Sequence, residues 1–238
     1  MTGDDPDAPL HGDLSRRIVV YTDAMEWASS PSTGVWRKRL HRVGLAEAGQ
    51  VTSLVRYEPG ARFPVHDHPE GEEILVLDGV FSDEHGDWPA GTYLLNPEGF
   101  RHAPFSDRGC LILVKLRQAP GRTRRHVAVQ VDALPWRPSG RPGIEQKPLF
   151  VQPGFKDHTW LERWSPGADP GAATHPDGAE LLVLAGELSD EQGHYHRGTW
   201  LRLPAGASHR PRSATGCTVY VKYGGLPGLR AAGPGGEG

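Results

Sequence analysis

A chain of 238 residues is long enough for one large domain or two small ones, each with a buried core. A formal charge of -3 and a pI near 6.5 provide no basic field for nucleic acid or an anionic membrane surface, so neither is an expected partner. The longest apolar runs, such as 74-ILVL-77 and 111-LILV-114, are strand-sized and far short of the roughly 20 residues of a spanning helix; two cysteines make neither a disulfide framework nor a four-thiolate zinc site.

Residues 1–17 are acidic and show no basic-then-apolar secretory pattern, which predicts a disordered start and a cytoplasmic protein. A first unit is expected over 18–130. Its apolar runs are short, β-branched or aromatic, and broken by Gly and Pro, as in an all-β domain. The segments 60-GARFP-64, 78-DG-79, 85-HGD-87, 89-PAG-91 and 97-PEG-99 read as turns. Helical periodicity is modest at 21-YTDAMEW-27 and 43-VGLAEAG-49, and the second stretch reads equally as a loop. The run 37-RKRLHR-42 has the charge pattern of a solvated strand face, and 122-RTRRH-126 reads the same way. Many short antiparallel strands close best as a barrel or jelly roll, which removes exposed edges.

The polar cluster of this unit is Gly60-x5-His66-x-His68-x3-Glu72-x6-Gly79, followed by Gly91-x5-Pro97-x-Gly99-x2-His102. Side chains two apart on a strand share a face, so His66 and His68 can share one ion. After the 69-PEG-71 turn, Glu72 falls on the face of Ile74 and Val76, while Glu73 falls with Leu75 and Leu77; Glu72 is therefore the candidate ligand. His102 follows a Pro-x-Gly turn that can return it to the same place. Three imidazoles and one carboxylate suit Fe(II), Mn, Ni, Cu(II) or Zn with open positions for water or substrate. Without a cation, such a set inside a small barrel leaves a buried carboxylate uncompensated, at about 3–5 kcal/mol. A lone His-x-His is weak evidence by comparison: 194-HYH-196 has the spacing but no partners around it.

Beyond a Val-rich strand candidate, 127-VAVQV-131, a second unit is expected over 131–226, with a Gly-rich tail over 227–238 predicted to be disordered. A shift of 107 positions aligns Thr52 to Lys115 with Thr159 to Lys222 without a gap, close to half of them identical, so the second unit duplicates the first. Cys110 falls on Cys217, in strands where both read as buried core thiols. The second copy of the cluster reads Ala173, His175, Ala179 and His209. Glu180 aligns with Glu73, whose parity points away, so it cannot replace Glu72 without turning Leu181 and Val183 out of their layer. The second unit is expected to keep the fold, lose the metal and retain an apolar-lined cavity or a structural role.

Both motifs resemble the paired signatures of the cupin superfamily, and 27-WASSPSTGVWRKRL-40, 71-GEEILVLDGVFSDEHGDWPAGTY-93 and 97-PEGFRHAP-104 resemble more narrowly the ChrR-type cupin. The resemblance implies two tandem jelly-roll barrels, a bicupin, with His66, His68, Glu72 and His102 as ligands of one divalent ion in the first, Fe or Zn being favoured over Mn or Ni. It also implies two activities: Fe(II) dioxygenases acting on small diketones and hydroxyacetophenones, and zinc-dependent anti-sigma factors. The latter resemble a two-part design with an N-terminal helical zinc domain; with fewer than about 20 residues before the first unit and no Cys-x2-Cys, direct sigma-factor binding is not expected. The expectation is a small-molecule metalloenzyme of the dioxygenase type, with Glu72 as ligand or base; the alternative is a non-catalytic zinc-binding sensor, and a purely structural protein ranks last. A small-molecule substrate is the expected partner, and a homodimer stays open as an assembly.

Overall fold

The computed structural model describes residues 8–45 and 47–231, and among these there is no α-helix. The chain is all-β and divides into two compact units. The first contains residues 26–132 with 8–13 and 228–231; the second contains 133–227 with 14–25. The strand that opens each sequence repeat completes the sheet of the other unit. Val127–Gln130 is the edge strand of the first unit's sheet, antiparallel to Thr92–Asn96, and Ile18–Tyr21 is the edge strand of the second, antiparallel to Thr199–Leu203. Turn signals alone do not reveal this exchange.

In the first unit the large sheet continues from Thr92–Asn96 through Glu72–Asp83, Cys110–Leu116, Gln50–Tyr57 and Val35–Val43 to Ala28–Ser29. A smaller set, with His66–His68 on Phe100–His102 and Ala61–Arg62 on Phe105–Ser106, faces it. Alternation along the strands puts Val35, Val55, Ile74, Val76, Ile112 and Val114 into one core with Phe81 and Leu94. Each such side chain contributes about 1.5–3 kcal/mol on burial. The second unit repeats the order through Ala179–Asp190, Cys217–Tyr223, His158–Trp164 and Ile144–Phe150, with Ala173–His175 on Ala207–His209. Cys110 and Cys217 are buried free thiols, and burial pushes each up to about 11.

Three local expectations change. The dipeptide 78-DG-79 is no turn, because one strand runs from Glu72 to Asp83. Gly79 (φ 71°) bends it, beside a register shift opposite Leu111 and Ile112, so that its first half pairs with Thr92–Asn96 and its second with Gly86–Pro89. A Cβ there would lie 2.1 Å from the Gly109 carbonyl oxygen, which explains the glycine. The stretch 21–27 supplies one 3-10 turn, Thr22–Ala24, where the Thr22 hydroxyl donates to Gly198 O at 2.7 Å. The stretch 43–49 is the end of a strand and a turn, with Ala46 outside the described residues. At the termini, the disorder predicted for 1–7 and 232–238 likewise concerns residues outside those described. Leu10 bridges Arg42, and Arg230 pairs with Glu70 at 2.6 Å, so parts of both expected tails are placed.

Candidate metal centre

His66 and His68 lie on one short strand, with Asp67 between them turned out to solvent. The neighbouring strand Phe100–His102 pairs antiparallel and sets His102 directly opposite His66. The three rings meet, with centroids 4.8 Å (His66–His68), 4.9 Å (His68–His102) and 5.3 Å (His66–His102) apart. One ligand nitrogen from each lies within 4.8 Å of the others, a group able to hold a metal ion. Glu72 enters from the long strand on the parity expected: its Oε2 is 3.4 Å from His68 Nε2 and 3.5 Å from His102 Nε2.

These distances test whether an ion fits. Two atoms bound to one cation at about 2.0–2.2 Å, with bond angles between roughly 90° and 110°, lie about 3.0–3.5 Å apart. The His68 Nε2 to His102 Nε2 separation is 3.0 Å, and both Glu72 distances fall in the same interval. The outer ring nitrogens are engaged as well. His66 Nδ1 donates to Pro64 O at 2.8 Å and His102 Nδ1 to Asp83 Oδ2 at 2.9 Å, tautomers that leave each Nε2 lone pair for the centre. Asn96 Nδ2 donates to Glu72 Oε2 at 2.9 Å and steadies the carboxylate.

The electrostatics follow from burial and neighbours. Burial lowers the His68 pKa; Glu72 opposes that shift and His102 adds to it. For His102, burial also acts downward, but the Asp83 hydrogen bond and the Glu72 charge outweigh it and raise the pKa. Asp83 is itself held below its usual range: burial pushes it up, and donors from His102, the His85 N–H and Trp88 prevail. The site therefore keeps one anion behind His102 and another beside both rings, an arrangement suited to a cation.

Asp83 and Asn96 were not singled out by the spacing argument, although 82-SDE-84 recurs as 189-SDE-191 and so marked Asp83 as retained in both copies. The basic run 37-RKRLHR-42 also needs correcting. Arg37 and Arg39 follow Val35 on the inward face of their strand and line the metal-site cavity; the alternation breaks only at the register shift between Arg39 and His41. That cavity measures about 170 Å³, and its walls include Val51, Val55, Phe63, Phe81, Ile112 and Val114.

In the second unit the histidine pair survives, with His175 Nε2 3.1 Å from His209 Nε2 and His209 Nδ1 bonded to Asp190 Oδ2 at 2.9 Å. Ala173 stands opposite His209, where His66 faces His102. Glu180 lies on the face away from Ala179, Leu181 and Val183, which share the core, as parity requires. A cavity of about 640 Å³ opens beside this pair, but it is lined by Arg141, Lys156, His158 and Glu162 and is not the apolar one expected. Glu162, at the position of Val55, is buried in the barrel wall and accepts from Arg141, from the Tyr223 hydroxyl at 2.9 Å and from Trp164 Nε1 at 3.2 Å. Tyr223 replaces Leu116 and stacks on His175 with centroids 5.8 Å apart. A buried carboxylate with three donors is satisfied without a metal. His194 and His196 are exposed at a strand edge, with no metal-type grouping among the described residues.

Comparison with known proteins agrees with this fold. The profile of the ChrR cupin-like domain matches residues 15–120 and again 124–227, and the chain belongs to this family as a tandem of two cupin domains. The structure is similar to a Nostoc punctiforme protein provisionally assigned as a dioxygenase (TM-score 0.71, 16% identity, covering 87% of this chain and 82% of that one). It is also similar to Ylba from E. coli (0.64, 17%, 92% and 94%) and to the Lactobacillus farciminis oxalate decarboxylase formate complex (0.62, 14%, 92% and 89%). At these identities the likeness establishes the fold. No curated protein matches the sequence. No helix among the described residues is long and apolar enough to cross a membrane.

Proposed function

We propose that the first unit holds one divalent metal ion on His66, His68, His102 and Glu72, and that the protein is a small-molecule metalloenzyme of the dioxygenase type. The observation that carries the reading is the convergence of one nitrogen each from His66, His68 and His102 within 4.8 Å, with separations of 3.0, 3.4 and 3.5 Å among His68, His102 and Glu72. Iron or zinc is the favoured ion, both being suited to imidazole and carboxylate donors, and the dioxygenase reading calls for the iron. Bound there, the ion would supply a Lewis acid for a substrate oxygen and a place for O2.

The chain's own groups do the rest. Phe63, Phe81 and Ile112 give the cavity beside the histidines apolar walls for the carbon part of a substrate. Glu72 Oε2, held by Asn96, can take a substrate proton or stay in the ligand set. Tyr57 lines the same cavity, and burial pushes its phenol up, so it remains a neutral donor.

Elemental analysis of protein purified without a metal-binding tag, followed by oxygen uptake with small dicarbonyls and aryl ketones, tests the reading. About one iron per chain and substrate-dependent uptake are expected. Stoichiometric zinc without uptake contradicts the enzyme and favours the zinc-binding sensor.

A further inference from the structure

Three arginines line the cavity that reaches His66, His68 and Glu72, namely Arg37, Arg39 and Arg117. Strand pairing identifies their counterparts in the second unit without ambiguity. Arg37 opposes Val55 as Gln146 opposes Glu162, Arg39 opposes Ser53 as Pro148 opposes Trp160, and Arg117 follows Leu116 as Gly224 follows Tyr223. The unit that lacks two of the metal ligands thus also lacks these three arginines, and the cations of its own cavity, Arg141 and Lys156, stand at other positions, Arg141 against the buried Glu162. A merely solvated charged face has no reason to disappear together with the metal ligands.

The backbone adds a second observation. Arg117 has φ 58°, a left-handed conformation that side chains rarely adopt, and its counterpart Gly224 has φ 69°. The second unit uses the residue for which that conformation is free, whereas the first keeps an arginine there against strain. Strain retained at a cavity wall marks a side chain kept for what it does.

A third observation shows what the cations attract. Glu47, on the turn after the Val35–Val43 strand, places its carboxylate against Arg37 Nη1 at 2.8 and 3.0 Å and against Arg39 Nη2 at 3.1 Å. The Arg37 and Arg39 side chains are only 15% and 21% exposed, but Glu47 is 49% exposed and so free to leave. Burial and the neighbouring Arg37 lower the Arg39 pKa while Glu47 raises it, so the pair is at ease only with an anion between its members. Exposed ion pairs of this kind are weak and readily exchanged.

We propose that the ligand of the first unit is a small carboxylate, its acid group held by Arg37, Arg39 and Arg117 in place of Glu47 and its oxygen-bearing, otherwise apolar remainder lying in the cavity toward the metal. This deepens the metalloenzyme reading and rests on it. Glu47 already shows one carboxylate bridging two guanidinium groups, both oxygens on Arg37 Nη1 and Oε1 also on Arg39 Nη2, the place an acid group of the ligand would take. The cavity of about 170 Å³, below the roughly 300–1,000 Å³ of drug-sized sites, restricts the ligand to a few heavy atoms.

The test is calorimetric titration of the metal-loaded full chain with 2-oxopentanoate and 4-oxopentanoate, each against its methyl ester and against inorganic phosphate. At least one acid is expected to bind, with its ester and phosphate at least about tenfold weaker. Arg37→Gln and Arg117→Gly should each cost about 10-fold to 100-fold in acid affinity while metal per chain is unchanged. Arg117→Gly installs the residue the duplicate uses and relieves the strained backbone. Glu47→Gln should tighten acid binding severalfold, a gain that misfolding cannot produce. Equal binding of acid and ester, preference for phosphate, no binding of either acid, or indifference to the arginine substitutions would overturn the proposal with the metal still in place. Absence of metal from the wild-type chain would overturn the underlying metalloenzyme reading instead.

Discussion

The two units carry the same histidine pair at almost the same separation, 3.0 Å in the first and 3.1 Å in the second, each anchored from behind by an aspartate at 2.9 Å. What separates them lies in front of the pair. The first unit adds His66 and Glu72 beside a cavity walled by apolar side chains and three arginines; the second has Ala173 and Ala179 and lines its cavity with Glu162, Arg141, Lys156 and Tyr223. The lesson is that the anchored pair belongs to the fold, whereas the capacity to hold a metal depends on the additional groups, His66 and Glu72, and the space they face. Asp190 shows the same shift of use. It holds His209 and also accepts from Arg17 at 2.6 Å and from the Tyr195 hydroxyl at 2.6 Å, so it has become part of a structural network.

The sharpest way to break this comparison is to remove ligands. His66→Ala together with Glu72→Ala should take the metal content from about one to near zero per chain, since it leaves only the histidine pair that the second unit also carries. His175→Ala should leave the content unchanged. Elemental analysis of both variants, with circular dichroism to confirm folding, decides the point.

The converse is to rebuild the second site. Ala173→His together with Ala179→Glu should raise the content from about one to about two per chain, because the anchored pair already waits there. A content that stays at one would show that Tyr223, stacked on His175, has closed the position.

A smaller effect is expected behind the ligands. Asp83→Asn keeps the shape but weakens the hold on His102 Nδ1–H, and metal affinity measured by chelator competition should fall about 10-fold to 100-fold. Asp190→Asn should not alter metal binding and should instead lower the melting temperature, since it weakens contacts to Arg17, Tyr195 and His209.

The subtlest contrast is in acid. Burial, the His209 ring and the charges of Arg141 and Arg17 lower His175 to about 4. Its folded pKa lies below the unfolded value of 6.5, so the unfolded chain binds more protons as the pH falls between them. Stability of the second unit should therefore drop from pH 6.5 toward about 4, by on the order of 3 kcal/mol, and be unaffected by this group above that window. Following the His175 ring proton by NMR should give an inflection near 4; one near 6.5 would remove the effect.

Much of this was legible in the sequence because duplication acts as an internal control. The shift of 107 positions exposed Ala173 and Ala179, and strand parity placed Glu72 inward and Glu180 away before any coordinates. Asp83 was harder to see, since its role depends on a strand that bends at Gly79 and brings its far half under His102. The strand Val127–Gln130 was legible and within the expected bounds of the first unit, but the place of Ile18–Tyr21 in the second unit's sheet could not be read, because edge pairing depends on contacts that no local pattern encodes. Arg37 and Arg39 were misassigned because alternating charge looks the same on an outer face and at the mouth of a barrel. Glu162 escaped notice because a buried carboxylate is recognised by its donors, and Arg141 and Tyr223 come from distant strands and turns.

The most direct test of the central claim is an anomalous-difference map from crystals of the untagged protein, measured at the absorption edge of whichever metal it retains. The account predicts one peak per chain, among the Nε2 atoms of His66, His68 and His102 beside Glu72, and none at His175 and His209. A peak of equal height at the second pair, or none at the first, would contradict it.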